Sequence, residues 1–123
     1  MAHGVVVVDD VADLRMLIGR AFKRDGRLDV LASVGNGELG IEAVREHHPD
    51  VVLMDVSMPV KDGITATREL KQEFPELPIM ILTGYADERL EEEARQAGAD
   101  GFIDKSKSLP EVVDAVAALV DGA

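Results

Sequence analysis

Apolar and polar positions alternate along this chain in blocks. Val5-Val6-Val7-Val8, Val51-Val52-Leu53-Met54 and Ile79-Met80-Ile81-Leu82 are runs without a polar interruption, the pattern of strands buried on both faces. Asp29-Val30-Leu31-Ala32-Ser33-Val34 is less apolar and predicts an edge strand, and Gly101-Phe102-Ile103-Asp104 predicts a short last strand. The third strand is expected over 50–55.

Between the runs the apolar residues recur at helical spacing. Leu14, Leu17, Ile18 and Ala21 predict a helix over 11–25 stopped by Gly26. Gly35-Asn36-Gly37 turns into a second helix that ends before Pro49, and Asp62-Gly63 into a third, marked by Ile64, Thr67, Leu70 and Phe74, that ends before Pro75. A fourth is expected over 86–97, with Leu90, Ala94 and Ala97 as its few apolar anchors and Gly98 as its stop. It is held lightly. Ser108-Leu109-Pro110-Glu111 carries a serine N-cap, an early proline and a capping-box glutamate, and the last helix buries Leu109, Val112, Val113, Val116 and Val120.

Strands alternating with helices through short loops predict an α/β domain, a doubly wound parallel sheet of five strands covered by five helices. With right-handed crossovers the best-fitting strand order is 2-1-3-4-5, whose switch point lies between the first and third strands. Asp9, Asp10 and Asp55 then meet in one crevice at the carboxyl edge, where such sheets place their ligands.

Three ionised carboxylates in one crevice raise one another's pKa unless a positive charge offsets them. A hard divalent cation does so, and Mg²⁺, which uses few carboxylates, keeps waters and favours phosphate, suits the set. Capping of the first helix explains one of Asp9 and Asp10, but not both beside a third. Thr83 and Lys105 also end strands, adding a hydroxyl and an ammonium suited to a phosphoryl group. With no cysteine and no Ser-His pair evident there, Asp55 is the candidate nucleophile.

Composition narrows the partners. A formal charge of -11, from 24 acidic against 13 basic residues, opposes direct nucleic-acid binding. The absence of cysteine, of a leader and of any apolar run near the roughly 18 residues of a membrane span leads to the expectation of a cytoplasmic protein. At 123 residues, one domain over 1–123 is expected.

Asp9-Asp10, Asp55-Val56-Ser57-Met58-Pro59 with Asp62-Gly63, Thr83-Gly84, and the segment from Gly98 to Lys105 together resemble the receiver domain of bacterial two-component response regulators. The resemblance covers essentially the whole chain and implies the flavodoxin-like receiver fold. It further implies that Asp55 accepts a phosphoryl group from a sensor histidine kinase, and that Asp10, Asp55 and the Ser57 backbone carbonyl ligate Mg²⁺ with Asp9 acting through water. Lys105 would pair with the phosphoryl oxygens, Thr83 would swing in to bond one of them, and Phe102 would be the rotating aromatic of the switch. Ser57 and Tyr85 would tune how long the phosphoryl group lasts.

By the same resemblance the chain is not an enzyme but a phosphoacceptor that promotes its own phosphorylation and dephosphorylation. An output domain in cis, of the helix-turn-helix kind and absent from this chain, is expected, with Val120-Asp121-Gly122-Ala123 closing the last helix. Pairing with a second copy on phosphorylation is a further expectation, with no seam distinctive enough to choose. Ser106 stands where many receivers have a proline, and a trans Lys105–Ser106 bond is expected. The alternatives are a receiver-like interaction module that works unphosphorylated and an aspartate-nucleophile phosphatase of the haloacid dehalogenase type. The latter wants an acid two residues after the nucleophile, where this chain has Ser57. A flavodoxin-like electron carrier is disfavoured because Asp9-Asp10 would repel its phosphate.

Overall fold

The computed structural model describes residues 2–121. Met1, Gly122 and Ala123 lie outside the described residues, and with them the expected closing turn after Asp121. The elements in chain order are β1 (His3–Val8), α1 (Ala12–Asp25), β2 (Leu28–Val34), α2 (Gly37–His47), β3 (Val51–Asp55), α3 (Gly63–Glu73), β4 (Ile79–Thr83), α4 (Glu88–Ala97), β5 (Gly101–Asp104) and α5 (Leu109–Val120). All strand pairs are parallel, and the order is β2-β1-β3-β4-β5, as the sequence predicts.

The three uninterrupted apolar runs are the three central strands, with β3 and β4 buried along their whole length. Their side chains alternate between two cores. Val6, Val8, Val52, Met54, Ile79 and Ile81 pack with Ile41, Ile64, Leu70 and Ala94 under α2, α3 and α4. Val5, Val7, Val51, Leu53, Met80 and Leu82 pack with Ile18, Phe22, Val113 and Val116 under α1 and α5. Each buried aliphatic contributes on the order of 1.5–3 kcal/mol, so both faces of the sheet are anchored. β2 alternates between buried or half-buried and exposed positions and β5 is half-buried throughout, as edge strands are.

Helix ends follow local chemistry. Asn36, Asp62 and Asp87 cap α2, α3 and α4 by accepting the backbone N–H groups of Leu39, Thr65 and Leu90, and Ser108 and Glu111 form the expected capping box on α5. The Asp87 cap moves the start of α4 to Glu88, two residues later than expected. The remaining helix, α1, begins after Val11 without any side-chain cap. Neither Asp9 nor Asp10 is spent on that role.

Two packing expectations shift. The largest fully buried side chain of α1 is Phe22, whereas Leu17 is 44% exposed, because the core-facing stripe of α1 runs through Ile18 and Phe22. On α5, Val112, Val113, Val116 and Ala117 are buried while Leu109 and Val120 are only half-buried. α4 buries just Ala94 and Ala97, so it is attached by small side chains, as expected from its sparse anchors.

Candidate functional site

The register carries the ends of β1, β3, β4 and β5 to one edge, since Val8 pairs with Met54, Asp55 with Leu82 and Thr83 with Asp104. The corner after β1 is fixed by its backbone. The Asp9 N–H bonds the Val34 carbonyl at 3.0 Å, and the Arg15 guanidinium donates to the Asp9 carbonyl. The Asp9 side chain accepts the Val11 N–H through Oδ1 at 2.8 Å. These contacts turn the carboxylate inward.

Asp9 and Asp55 are buried and Asp10 is exposed, yet one carboxylate oxygen from each lies within 4.8 Å of those of the others. Lys105 Nζ stands 2.9 Å from Asp9 Oδ2 and 3.3 Å from Asp55 Oδ2. Its position is set by the Lys105 N–H, which bonds the Thr83 carbonyl at 2.8 Å and ties the end of β5 to that of β4. Asp55 Oδ1 accepts the Val56 N–H at 2.8 Å, so its other oxygen is the one offered to the crevice.

Electrostatics follow from this crowding. Burial, and then the neighbouring Asp9 charge, raise the Asp55 pKa from the usual 3.8 to about 6, against the lowering effect of Lys105 and the Val56 N–H. Burial disfavours the Lys105 ammonium, but its contacts with Asp9 and Asp55 outweigh that and raise its pKa. The Lys105 ammonium is shared between Asp9 and Asp55, and Asp10 has no ion pair among the described residues. Asp9 Oδ2 is buried and, although Lys105 Nζ is 2.9 Å away, lacks an aligned hydrogen bond. A buried carboxylate oxygen without an aligned hydrogen bond, beside two further carboxylates, fits a hard, oxygen-seeking cation, and Asp9, Asp10 and Asp55 could hold one.

The other predicted residues are spread around this crevice. The Thr83 hydroxyl accepts the Tyr85 N–H at 3.1 Å, so its own proton is free to be donated elsewhere. Ser57 is exposed on the β3–α3 loop, Tyr85 is 79% exposed on the β4–α4 loop, and Phe102 is half-buried against the α4 side of the sheet. Phe102 also lines a cleft of about 260 Å³ between α4 and β5, together with Glu91, Ala94 and Arg95. The Lys105–Ser106 bond is trans, as are all peptide bonds among the described residues.

Sequence reading took Gly37 and Gly63 only as turns into helices and passed over Val60 and Lys61, which shape the β3–α3 loop with them. The Gly63 N–H bonds the Val56 carbonyl at 2.8 Å, and the Gly37 N–H bonds the Lys61 carbonyl at 2.9 Å, strapping the loop to the start of α2. A Cβ on Gly37 would stand 2.5 Å from that Lys61 oxygen. Lys61 also pairs with Glu38 and Glu69. Between them Val60 has φ of 69° and is bridged by a Lys61 N–H to Pro59 carbonyl bond of 2.7 Å, a tight turn that nothing in a valine announces.

Comparison with known proteins agrees with this geometry. Residues 5–117 match the response regulator receiver domain family. The chain is 38% identical over 116 residues to the chemotaxis protein CheY of Bacillus subtilis, covering 94% of this chain and 96% of that one. It is 30% identical over 118 residues to the transcriptional regulatory protein DegU of Brevibacillus brevis, covering 96% of this chain but spanning 50% of that regulator. The signal receiver domain of the response regulator NarL from Mycobacterium tuberculosis superposes with a TM-score of 0.94 at 28% identity, covering 99% of this chain and 98% of that one. Fold, crevice and sequence thus coincide, and this chain belongs to the response regulator receiver domain family, the phosphorelay signalling module of two-component systems.

Proposed function

We propose that Asp55 is the phosphoacceptor of a two-component phosphorelay, taking the phosphoryl group from a phosphohistidine of a sensor kinase. The observation that carries this reading is the buried, crowded carboxylate of Asp55 beside Lys105 at the carboxyl edge of the sheet. An Asp55 oxygen forms a bond to phosphorus as the phosphorus–nitrogen bond of the donor breaks. Lys105, already 3.3 Å from the carboxylate, follows the incoming charge. Asp9, Asp10, Asp55 and the backbone carbonyl of Ser57 are the groups suited to hold Mg²⁺, which offsets the charge on the transferring phosphoryl oxygens when bound.

The same geometry supports a switch. A phosphoryl group adds about -1.5 to -2 charge units and three acceptors, and the Thr83 hydroxyl has its proton available to meet one of them. Movement of Thr83 pulls the β4–α4 loop, and α4, with only Ala94 and Ala97 buried, is the element most easily displaced. Phe102 borders the cleft beside α4 and has room to turn. The face built from α4, β5 and α5 is the output surface. Ser57 and Tyr85, both exposed on loops at this edge, govern how water reaches the aspartyl phosphate.

In this reading residues 1–123 act as a receiver module that is modified rather than one that turns over a substrate, working inside the cell with an output domain of the DNA-binding kind. No helix among the described residues is long and apolar enough to cross a membrane. The likeness to DegU, a transcriptional regulatory protein of which this chain spans 50%, supports the reading with an output domain. Incubation with Mg²⁺ and acetyl phosphate tests the core of the proposal. One phosphoryl group per chain is expected in the wild type and none in Asp55→Asn; uptake that survives the substitution refutes the assignment.

A further inference from the structure

Between Val56 and Gly63 the β3–α3 loop has no fully buried side chain. Ser57, Pro59, Val60 and Asp62 are exposed, and Met58 and Lys61 are half-buried, Met58 against the core under α2, α3 and α4. Apolar packing therefore fixes little of a stretch that carries the Ser57 carbonyl, one of the groups suited to hold Mg²⁺. Polar contacts have to do the rest.

Those contacts converge on Lys61. Its carbonyl accepts the Gly37 N–H at 2.9 Å, and its Nζ lies 3.0 Å from Glu38 Oε2 on α2 and 2.8 Å from Glu69 Oε2 on α3. Only 20% of the Lys61 side chain is exposed. Ion pairs between surface groups add little stability singly, so a lysine shared by two helices restricts where its loop can go more than it stabilises the fold. The neighbouring Val60 points the same way. Its φ of 69° is one that a β-branched residue keeps only where its surroundings over-determine it, and the Lys61 carbonyl, N–H and ammonium are all engaged.

We propose that Lys61 is a positioning residue for the cation site: by clamping the β3–α3 loop to Glu38 and Glu69, it holds the Ser57 carbonyl in place for the Mg²⁺ that Asp10 and Asp55 bind. The inference rests on the reading of the crevice as a Mg²⁺ site. Groups that orient a metal's ligands without touching the metal are typically worth about 10–100-fold in affinity. Lys61 acts through its loop, so the lower end of that range applies. Coulomb's law alone predicts the opposite sign, because removing a positive charge from a chain of net charge -11 would draw Mg²⁺ in more strongly. The direction of the effect therefore separates a clamp from a field.

Titration calorimetry of the whole chain with Mg²⁺ alone tests this. Lys61→Met keeps an unbranched stem, removes the ammonium and should weaken Mg²⁺ binding about tenfold. Lys61→Arg restores the pairing and should stay close to wild type. Arg68→Gln removes an equal charge from an exposed position of α3 that has no ion pair among the described residues, and it should not weaken binding. Hydrogen exchange at the Gly37 amide, bonded to the Lys61 carbonyl, reads the clamp itself and should speed up in metal-free Lys61→Met. Equal or tighter Mg²⁺ binding in Lys61→Met, a weakening that Lys61→Arg does not rescue, or an unchanged Gly37 amide overturns the proposal. Asp10→Asn keeps the two readings apart. If wild-type binding depends on Asp10 but ignores Lys61→Met, the clamp alone fails; if it is indifferent to Asp10→Asn, the crevice is not the Mg²⁺ site and both fail.

Discussion

The backbone of Gly63 runs so close to the carbonyl oxygen of Asp55 that a Cβ on the glycine would stand 1.7 Å from that oxygen and 2.8 Å from its carbon. Backbone cannot yield as a flexible side chain can, so Gly63→Ala must push β3 and α3 apart. A loss of about 3 kcal/mol or more is expected in urea denaturation, with phosphate uptake falling because Asp55 itself is displaced. Gly19→Ala is the control. Nothing lies within 4 Å of a Cβ there, and replacing a mid-helix glycine should add about 1 kcal/mol.

Asp55→Asn should stabilise the protein when divalent cations are removed. The folded-state pKa is raised from 3.8 to about 6 by burial and by Asp9. A raised pKa means that the neutral acid is the form the fold prefers. Its contribution is fully present below about pH 3.8 and is lost as pH rises through about 6. At pH 7.5 the ionised group therefore costs on the order of 3 kcal/mol. In chelator, the Tm of Asp55→Asn should exceed that of wild type at pH 7.5 and converge on it near pH 4, and Mg²⁺ should narrow the gap by stabilising wild type alone. Parallel Tm curves across that range would refute the electrostatic account.

Val60 offers a stabilisation of another kind. Its φ of 69° within the Pro59–Lys61 turn is a conformation that a β-branched residue resists, and its side chain is 81% exposed with little packing to lose. Val60→Asn should gain about 1 kcal/mol in chemical denaturation. Val60→Gly should gain less, since glycine also loosens the unfolded chain. Destabilisation by both would mean that valine is held there by contacts rather than tolerated.

These cases divide what sequence reveals from what it hides. The central strands were legible because Val5–Val8, Val51–Met54 and Ile79–Leu82 have no polar position to contradict burial. The crevice was legible because a carboxylate immediately after such a run has only one place to go in a doubly wound sheet. Phe22 and Leu17 were not sorted correctly, because both lie on helical apolar spacing and only the tilt of α1 on the sheet decides which is buried. Val60 was invisible, since its backbone is dictated by the straps from Gly37 and Gly63 and not by its own preference. The start of α4 was misplaced because Ala86 fits a helix, yet the Asp87 cap terminates it more strongly.

Thr83 is where phosphorylation and its readout can be separated. Its hydroxyl accepts the Tyr85 N–H, which leaves the proton to donate and links the site to the loop that leads into α4. A hydrogen bond to a charged phosphoryl oxygen is worth about 1.5–3 kcal/mol, enough to move a two-state equilibrium about tenfold or more. Thr83→Ala should therefore still form the aspartyl phosphate, since Asp55 and Lys105 are untouched, while the shift of α4 and Phe102 toward the activated position is largely lost. Thr83→Ser keeps the hydroxyl and should restore it. Amide shifts across α4 and β5, recorded with and without a phosphoryl mimic at Asp55, read the switch independently of phosphate uptake. If Thr83→Ala left those shifts at wild-type size, the coupling would run through Lys105 and β5 instead.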